Sequence, residues 1–236
     1  MAREEKLRSF SLTGLFLLSI LLSLALPAGT VSASNETTTG TITGTETWAG
    51  VHTLTGDVTI APGAKLIINP GATIEFPNGT HLDVRGSLCA GVSSCGASSN
   101  AGPAMRITLR WSEPLNSSAI GECYGMSSGN QEIWIDDPSC SEGVLMRSSI
   151  DLSETGLRYV TFDSAWGIPQ YVSAVGEFRY GALVLDGASP TLTELSFNQI
   201  NTSSVLTTNL AQPTFNGGEF VVGADASRSI VGAALQ

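Results

Sequence analysis

From Val58 to Val84 the apolar residues of this chain recur on an eight-residue beat. Val58, Leu66, Ile74 and Leu82 lie eight apart, and Ile60, Ile68, Phe76 and Val84 follow each of them by two. Each unit therefore carries an apolar-x-apolar core, the mark of a short strand whose successive side chains point to opposite faces. Pro62-Gly63, Pro70-Gly71 and Asn78-Gly79 fall between the cores at the same interval, and these are turn-forming pairs. Strands and corners recurring at constant spacing predict a chain wound as a stack, with three units making a coil of about 24 residues. Val58 and Leu82 then share one face, one coil apart.

The beat breaks at Cys89, and residues 89–104 are rich in Gly, Ser and Ala. Alternation resumes through Met105, Ile107, Leu109 and Trp111, and a longer interruption spans 112–154. Within it, Glu132 to Asp136 reads either as a short strand or as a segment packed on the main body. From Leu157 the pattern restarts, with Val160 and Phe162 as the apolar pair expected to point inward. Leu183 and Leu206, Pro190 and Pro213, Leu192 and Phe215, and Phe197 and Phe220 are each 23 apart. That offset is one residue short of three units, as when one corner loses a residue. Gly, Pro, Thr and Ser recur too often for a sustained 3.6-residue stripe, so the expected class is all-β. A sandwich of hairpins is the competing architecture, but equal spacing of strands and turns favours coiling in one direction.

Arg3, Lys6 and Arg8 precede an uncharged run from Leu15 to Leu26, and Val31-Ser32-Ala33 supplies small residues for cleavage. Residues 1–33 thus read as a helical signal peptide; the alternative is an uncleaved membrane anchor over residues 11–30. Both place the remainder outside the cytoplasm, secreted or at the cell surface. Residues 34–47 are Thr-rich and read as a flexible linker, and the folded domain is expected over 48–236, with Trp48 to Leu54 as its cap. Four cysteines in an exported chain predict two disulfides with three possible pairings. Cys89 with Cys95 and Cys123 with Cys140 is the most local; a zinc site lacks a Cys-x-x-Cys spacing or a nearby histidine. Asn35, Asn78, Asn116 and Asn201 begin glycosylation sequons. With 11 Lys and Arg against 21 Asp and Glu, a net charge of -10, the chain lacks the basic patch that nucleic acid requires.

The segment TLTGDVTIAPGAKLIINPGATIEF, followed by THLDVRGSLCA, resembles the opening coils of secreted right-handed parallel β-helix proteins, the pectate-lyase-like superfamily. GALVLDGASPTLTELSFNQI is similar to a later coil of the same kind. The resemblance implies a solenoid of roughly six coils interrupted at 89–104 and 112–154. Polysaccharide lyases, glycoside hydrolases, adhesins and other surface proteins all use such coils, so the likeness speaks for architecture more than activity. The apolar stretch Ser229 to Gln236 offers no polar cap. This predicts a truncated rod, or one whose end associates with another chain.

Family lyases use clustered acidic calcium ligands with a basic residue, and the hydrolases use acidic residues for acid-base work. Here Asp136-Asp137, with Glu132 and Glu142 nearby, is the one candidate Ca²⁺ site, although Pro138 and the flanking cysteines suit a simple turn equally well. No other cofactor is implied, and no catalytic set matches. His52 and His81 read as packing or surface residues. Arg85, Arg106, Arg110 and Arg158 lie along the coils, where each is either an anionic-sugar contact or part of a solvated face. Trp111, Trp134 and Trp166 are either sugar-stacking platforms or packing residues. The leading reading is a binding or structural protein whose partners are glycans or other surface proteins. The alternative is a polysaccharide lyase or glycoside hydrolase, or the amino-terminal part of one.

Overall fold

The computed structural model describes residues 36–112, 141–172, 177–200 and 202–222, all of them within the larger of two compact units, Ala33–Gln236. The expected export segment lies outside the described residues. So do Asn35, Asn116, Asn201, Cys123, Cys140, Trp134, Asp136, Asp137 and the stretch from Ser229 to Gln236.

Sixteen strands join in one sheet. β1 (Glu36–Ile42) and β2 (Thr45–Trp48) open it, and β3 (Val51–Ile60) runs beside β1. β4 (Lys65–Ile68), β5 (Thr73–Phe76) and β6 (His81–Val84) then lie on β2, on the start of β3 and on its end. β7 (Ser87–Ala90), β8 (Ile107–Trp111) and β9 (Gly143–Arg147) repeat that order on β4, β5 and β6. β10 (Gly156–Arg158) and β11 (Val160–Asp163) follow on β7 and β8. β12 (Ile168–Val172) leaves the rotation, and the end of β13 (Glu177–Asp186) lies on β9. β14 (Thr191–Ile200) covers both β10 and β11, β15 (Ser203–Thr208) follows β13, and β16 (Thr214–Val222) lies on β14. The chain thus visits three parallel ladders in rotation, the first through β2, β4, β7, β10 and β14, the second through the start of β3, β5, β8, β11 and β14, and the third through the end of β3, β6, β9, β13 and β15, an all-β arrangement that fits a β-helix. The short interval between β12 and β13 allows only antiparallel pairing, and these two strands pair that way.

Register follows the sequence beat closely. Val58 pairs with Leu82 and Ile60 with Val84, and the corner glycines Gly63, Gly71 and Gly79 take φ of 77°, 80° and 70°, the left-handed region that glycine enters without steric cost. Leu192 pairs with Phe215 and Phe197 with Phe220, as the 23-residue offset predicts. Leu183 does not pair with Leu206. Its partner is Val205, at an offset of 22, and Leu206 pairs instead with Val184 on the outer face. The missing residue is restored in the next corner, where Asn209 and Leu210 both adopt positive φ.

Inside the ladders, rings stack along the sheet. Phe76 and Trp111 lie 4.3 Å apart by ring centroid, Trp111 and Phe162 6.5 Å, and Phe162 and Phe197 4.8 Å, all near parallel. The wide middle step arises because Phe162 pairs in register with Leu109, two residues before Trp111. Val160 and Phe162 are both fully buried, as expected. Met105, in contrast, sits half-exposed in a 3₁₀ turn, so the alternation begins only at Ile107.

Three sequence expectations need correction. Residues 36–47, expected as a flexible linker, are not loose: with Trp48 they form β1 and β2, which build the first layer of the stack. Thr38 and Glu46 pair with Leu54 and Leu66. Glu46 Oε1 accepts from Trp48 Nε1 at 2.7 Å, Thr38 Oγ1 bonds His52 Nε2 at 2.9 Å, and the His52 ring stacks on Trp48. Threonine favours strands, and in this layer polar side chains take inward places beside the buried Ile42 and Trp48. The second correction is β9, which lies within the expected 112–154 interruption. Its Val144-Leu145-Met146 run hides the alternation, because Leu145 faces outward yet is buried with Val184 and Ile168. The third concerns the first interruption, which begins only after Ala90. Its Cys95 and Ala97 fold over outward-facing Cys89 and Ile67, and Cys89 is disulfide-bonded to Cys95.

Candidate functional site

The same disulfide loop forms one wall of a cleft of about 400 Å³ on the outer face of the first ladder. Its floor is β10 and β14, where Gly156 pairs with Thr191 and Arg158 with Thr193. A glycine beside three short or flexible side chains leaves room above the sheet. One wall carries Val92, Ser94, Cys95 and Asn100; the other carries Leu152, Ser153 and Thr155. Asn100 Oδ1 accepts from both Ser93 N and Ser93 Oγ at 3.1 Å, which fixes the loop. Opposite, Asp151 caps the 3₁₀ turn Leu152–Glu154 by accepting from Ser153 N at 2.9 Å and Ser153 Oγ at 2.6 Å. These bonds hold the Asp151 carboxyl below the usual carboxylate range. Glu154 pairs with Lys65 at 2.9 Å and ties the turn to β4. The lining therefore combines hydroxyls, an amide, a guanidinium and the half-exposed Leu152, and it includes no carboxylate.

Where the cleft meets the corner after β10, Tyr159 adopts a φ of 50°. The guanidinium carbons of Arg106 and Arg158 lie 5.4 and 5.3 Å from its ring centroid, within cation–π range. Arg106 Nε donates to Thr161 Oγ1 at 3.0 Å and its Nη2 to Glu194 O at 2.9 Å. Arg158 Nε donates to Ala101 O at 3.1 Å, which ties this corner to the disulfide loop.

Other residues singled out in the sequence have structural roles. Trp111 is 1% exposed and donates Nε1 to Thr80 O at 2.8 Å, and Trp166 is 8% exposed, so neither is a sugar-stacking platform. Their positions explain this: Trp111 takes an inward place on β8, and Trp166 lies beside the buried Glu142. His52 belongs to the first polar layer, and His81 Nδ1 lies 3.1 Å from Asp57 Oδ1. Arg85 forks onto Asp83 at 2.9 and 2.7 Å, while Arg147 joins Asp83 to Asp186 along the third ladder at 3.2 and 3.3 Å. Arg110 pairs with Asp163 at 3.2 Å, and Asn198 Nδ2 donates to the same carboxylate at 2.9 Å. Asn78 is the one sequon asparagine among the described residues, exposed at the turn that ends in Thr80.

Glu142, read in the sequence as a neighbour of a calcium site, is fully buried. Its Oε1 accepts from Gly79 N at 3.0 Å and its Oε2 from Trp166 N at 2.9 Å. Main-chain bonds of 3.1 and 2.8 Å join it to Gly167 in both directions. Burial pushes its pKa up, against the pull of those two backbone donors. It is a clamp between two corners and offers no open ligand position. Among the described residues no three His, Cys, Asp or Glu side chains converge as a metal site would require.

The sequence flagged Arg158 but not the cleft around it. Ser94, Asn100, Leu152 and Thr193 come from separate stretches that only the ladder register brings together; the outward Thr191 and Thr193 of one strand are the single local signal. Comparison of the chain with protein-family models, curated proteins and solved structures finds no match.

Proposed function

We propose that the chain is an exported right-handed parallel β-helix protein, similar to the pectate-lyase-like superfamily, that acts outside the cytoplasm as a binding module and contacts glycans through the first-ladder cleft. The observation that carries this reading is the lining of that cleft. Hydroxyls and an amide suit the rim of a sugar, Leu152 and Val92 suit its apolar face, and the volume falls in the range of small-molecule sites. No lining carboxylate stands ready to protonate a leaving group or activate water, as hydrolysis of a glycoside requires. The carboxylates of Asp83, Asp163 and Asp186 instead hold arginines along the ladders. In support of the coil, three ladders visited in rotation at the usual strand spacing of about 4.8 Å give a rod with long, regular faces. The signal-like start of the sequence supports export.

A glycan array, run with a lyase and hydrolase screen in the presence and absence of Ca²⁺, tests the proposal. Binding without turnover is the expected result. Turnover of any polymer would overturn it in favour of a polysaccharide lyase or hydrolase.

A further inference from the structure

We propose that the folded chain modifies itself at Asn216-Gly217, converting Asn216 through a succinimide to aspartate and isoaspartate, while the Glu142 clamp spares Asn78-Gly79. These are the two places where the sequence sets Asn before Gly. At such a pair the glycine nitrogen attacks the asparagine side-chain carbon Cγ, unhindered by a side chain of its own. A bond forms between that nitrogen and Cγ, the bond from Cγ to Nδ2 breaks, and the proton given up by the glycine N–H leaves with Nδ2 as ammonia. Water then opens the ring at either carbonyl, to aspartate or isoaspartate, and nothing is oxidised or reduced. The nitrogen must turn onto the side chain to react, so whatever holds its N–H sets the rate.

The two pairs differ in that hold. Asn78 is exposed but Gly79 is buried, and Gly79 N donates to Glu142 Oε1 at 3.0 Å. The same turn is pinned by Thr80 Oγ1 donating to Pro77 O at 2.6 Å and by Trp111 Nε1 donating to Thr80 O at 2.8 Å. Attack there requires these bonds to open first. Asn216, Gly217 and Gly218 are all exposed. Arg158 pairs with Thr193 and Thr193 with Asn216, so Tyr159, Glu194 and Gly217 occupy one corner in successive circuits, with φ of 50°, 54° and 73°. Tyr159 N donates to Thr193 O in the next circuit at 2.9 Å. The equivalent N–H of Gly217 is directed to the end of the described stack, where β16 pairs with β14 alone among the described residues.

The products alter the fold where they form. Phe215 pairs with the inward Leu192, so Asn216 faces outward beside Thr193 of the cleft lining. Aspartate there adds a negative charge next to the cleft. Isoaspartate lengthens the main chain by one carbon just before Gly218 and Phe220, which pair with Leu195 and Phe197, and so shifts the last strand out of register. The change is one-way and falls on the less supported end of the stack.

The test holds the full chain folded at mildly alkaline pH and, in parallel, unfolded in urea, and follows both Asn-Gly peptides by mass spectrometry for exchange of an amide for a carboxyl. In the folded chain Asn216 should convert about ten-fold or more faster than Asn78, and in urea the two rates should come within about two-fold, because protection by the fold is lost with it. Asn216→Gln should abolish the conversion in its peptide. Glu142→Ala, shown to be folded by circular dichroism, should bring the Asn78 rate towards that of Asn216; if this variant unfolds, the urea comparison on the parent chain decides. Equal rates in the folded chain, or Asn78 converting ahead of Asn216, would overturn the assignment. A gap that persists undiminished in urea would overturn protection by the fold, and a folded Glu142→Ala with Asn78 as slow as in the parent would overturn the part given to Glu142.

Discussion

Glu142 shows how one residue ties distant parts of this chain together. Its carboxylate joins Gly79, in the corner before β6, to Trp166, in the corner before β12, at the cost of burying an ionisable group. Burial raises its pKa, and a carboxyl whose folded value lies above its unfolded one holds its proton more tightly in the folded chain. Its contribution is therefore full below the unfolded value and is lost as pH rises through the folded one. Glu142→Gln cannot titrate, and its amide nitrogen must face one of two backbone N–H groups. The variant should be less stable by roughly 1–3 kcal/mol in mild acid, the usual cost of a buried polar group left unpaired. The gap between parent and variant should then narrow as pH climbs past the usual carboxylate range. Urea unfolding at a series of pH values measures this, and a gap that stays constant with pH would show that the carboxyl titrates normally.

At the scale of elements, the disulfide loop both covers the first ladder and walls the cleft. Cys89 and Cys95 are six residues apart, and closing so short a loop contributes about 2 kcal/mol by the chain-entropy relation. Cys89→Ala with Cys95→Ala should lower unfolding stability by about that amount, leave the far-UV signature of the ladders in place and weaken glycan binding. Circular dichroism, denaturation and a glycan-binding titration check all three. The elements also show what the sequence makes legible. The beat from Val58 to Val84 identifies β4, β5 and β6 because each places two apolar side chains inward at the same interval, and Pro-Gly and Asn-Gly mark their corners. β9 escapes because a covered outer face erases alternation, and β1 and β2 escape because polar residues take inward places beside Ile42 and Trp48. The Leu183–Leu206 match misleads because two leucines at the right interval cannot reveal which corner gained a residue. The cleft is illegible for a plainer reason: its walls, residues 92–100 and 152–155, are far apart in sequence, and only register unites them with Thr191 and Thr193.

Across the whole molecule, the rotation of one chain through three ladders means that each strand is held chiefly by the strands one circuit before and after it. Stability in such a stack is close to a sum of local terms and neighbour interfaces, and it need not be uniform. The middle circuits have neighbours on both sides and contain the stacked Phe76, Trp111 and Phe162, all fully or almost fully buried. The first circuit ends in the bonded layer of Thr38, Glu46, Trp48 and His52. Towards the other end Val205 and Phe215 are only partly buried, and among the described residues β15 pairs with β13 alone and β16 with β14 alone. Hydrogen exchange followed by mass spectrometry should therefore find the slowest amides in β5, β8 and β11, intermediate ones in β2 and β3, and the fastest in β15 and β16. The gradient should steepen in low urea, because the least supported circuit opens first while the middle of the stack still requires global unfolding. Equal protection from β2 to β16 would mean instead that the ladders open as one unit, with the aromatic stack coupling every circuit to the next.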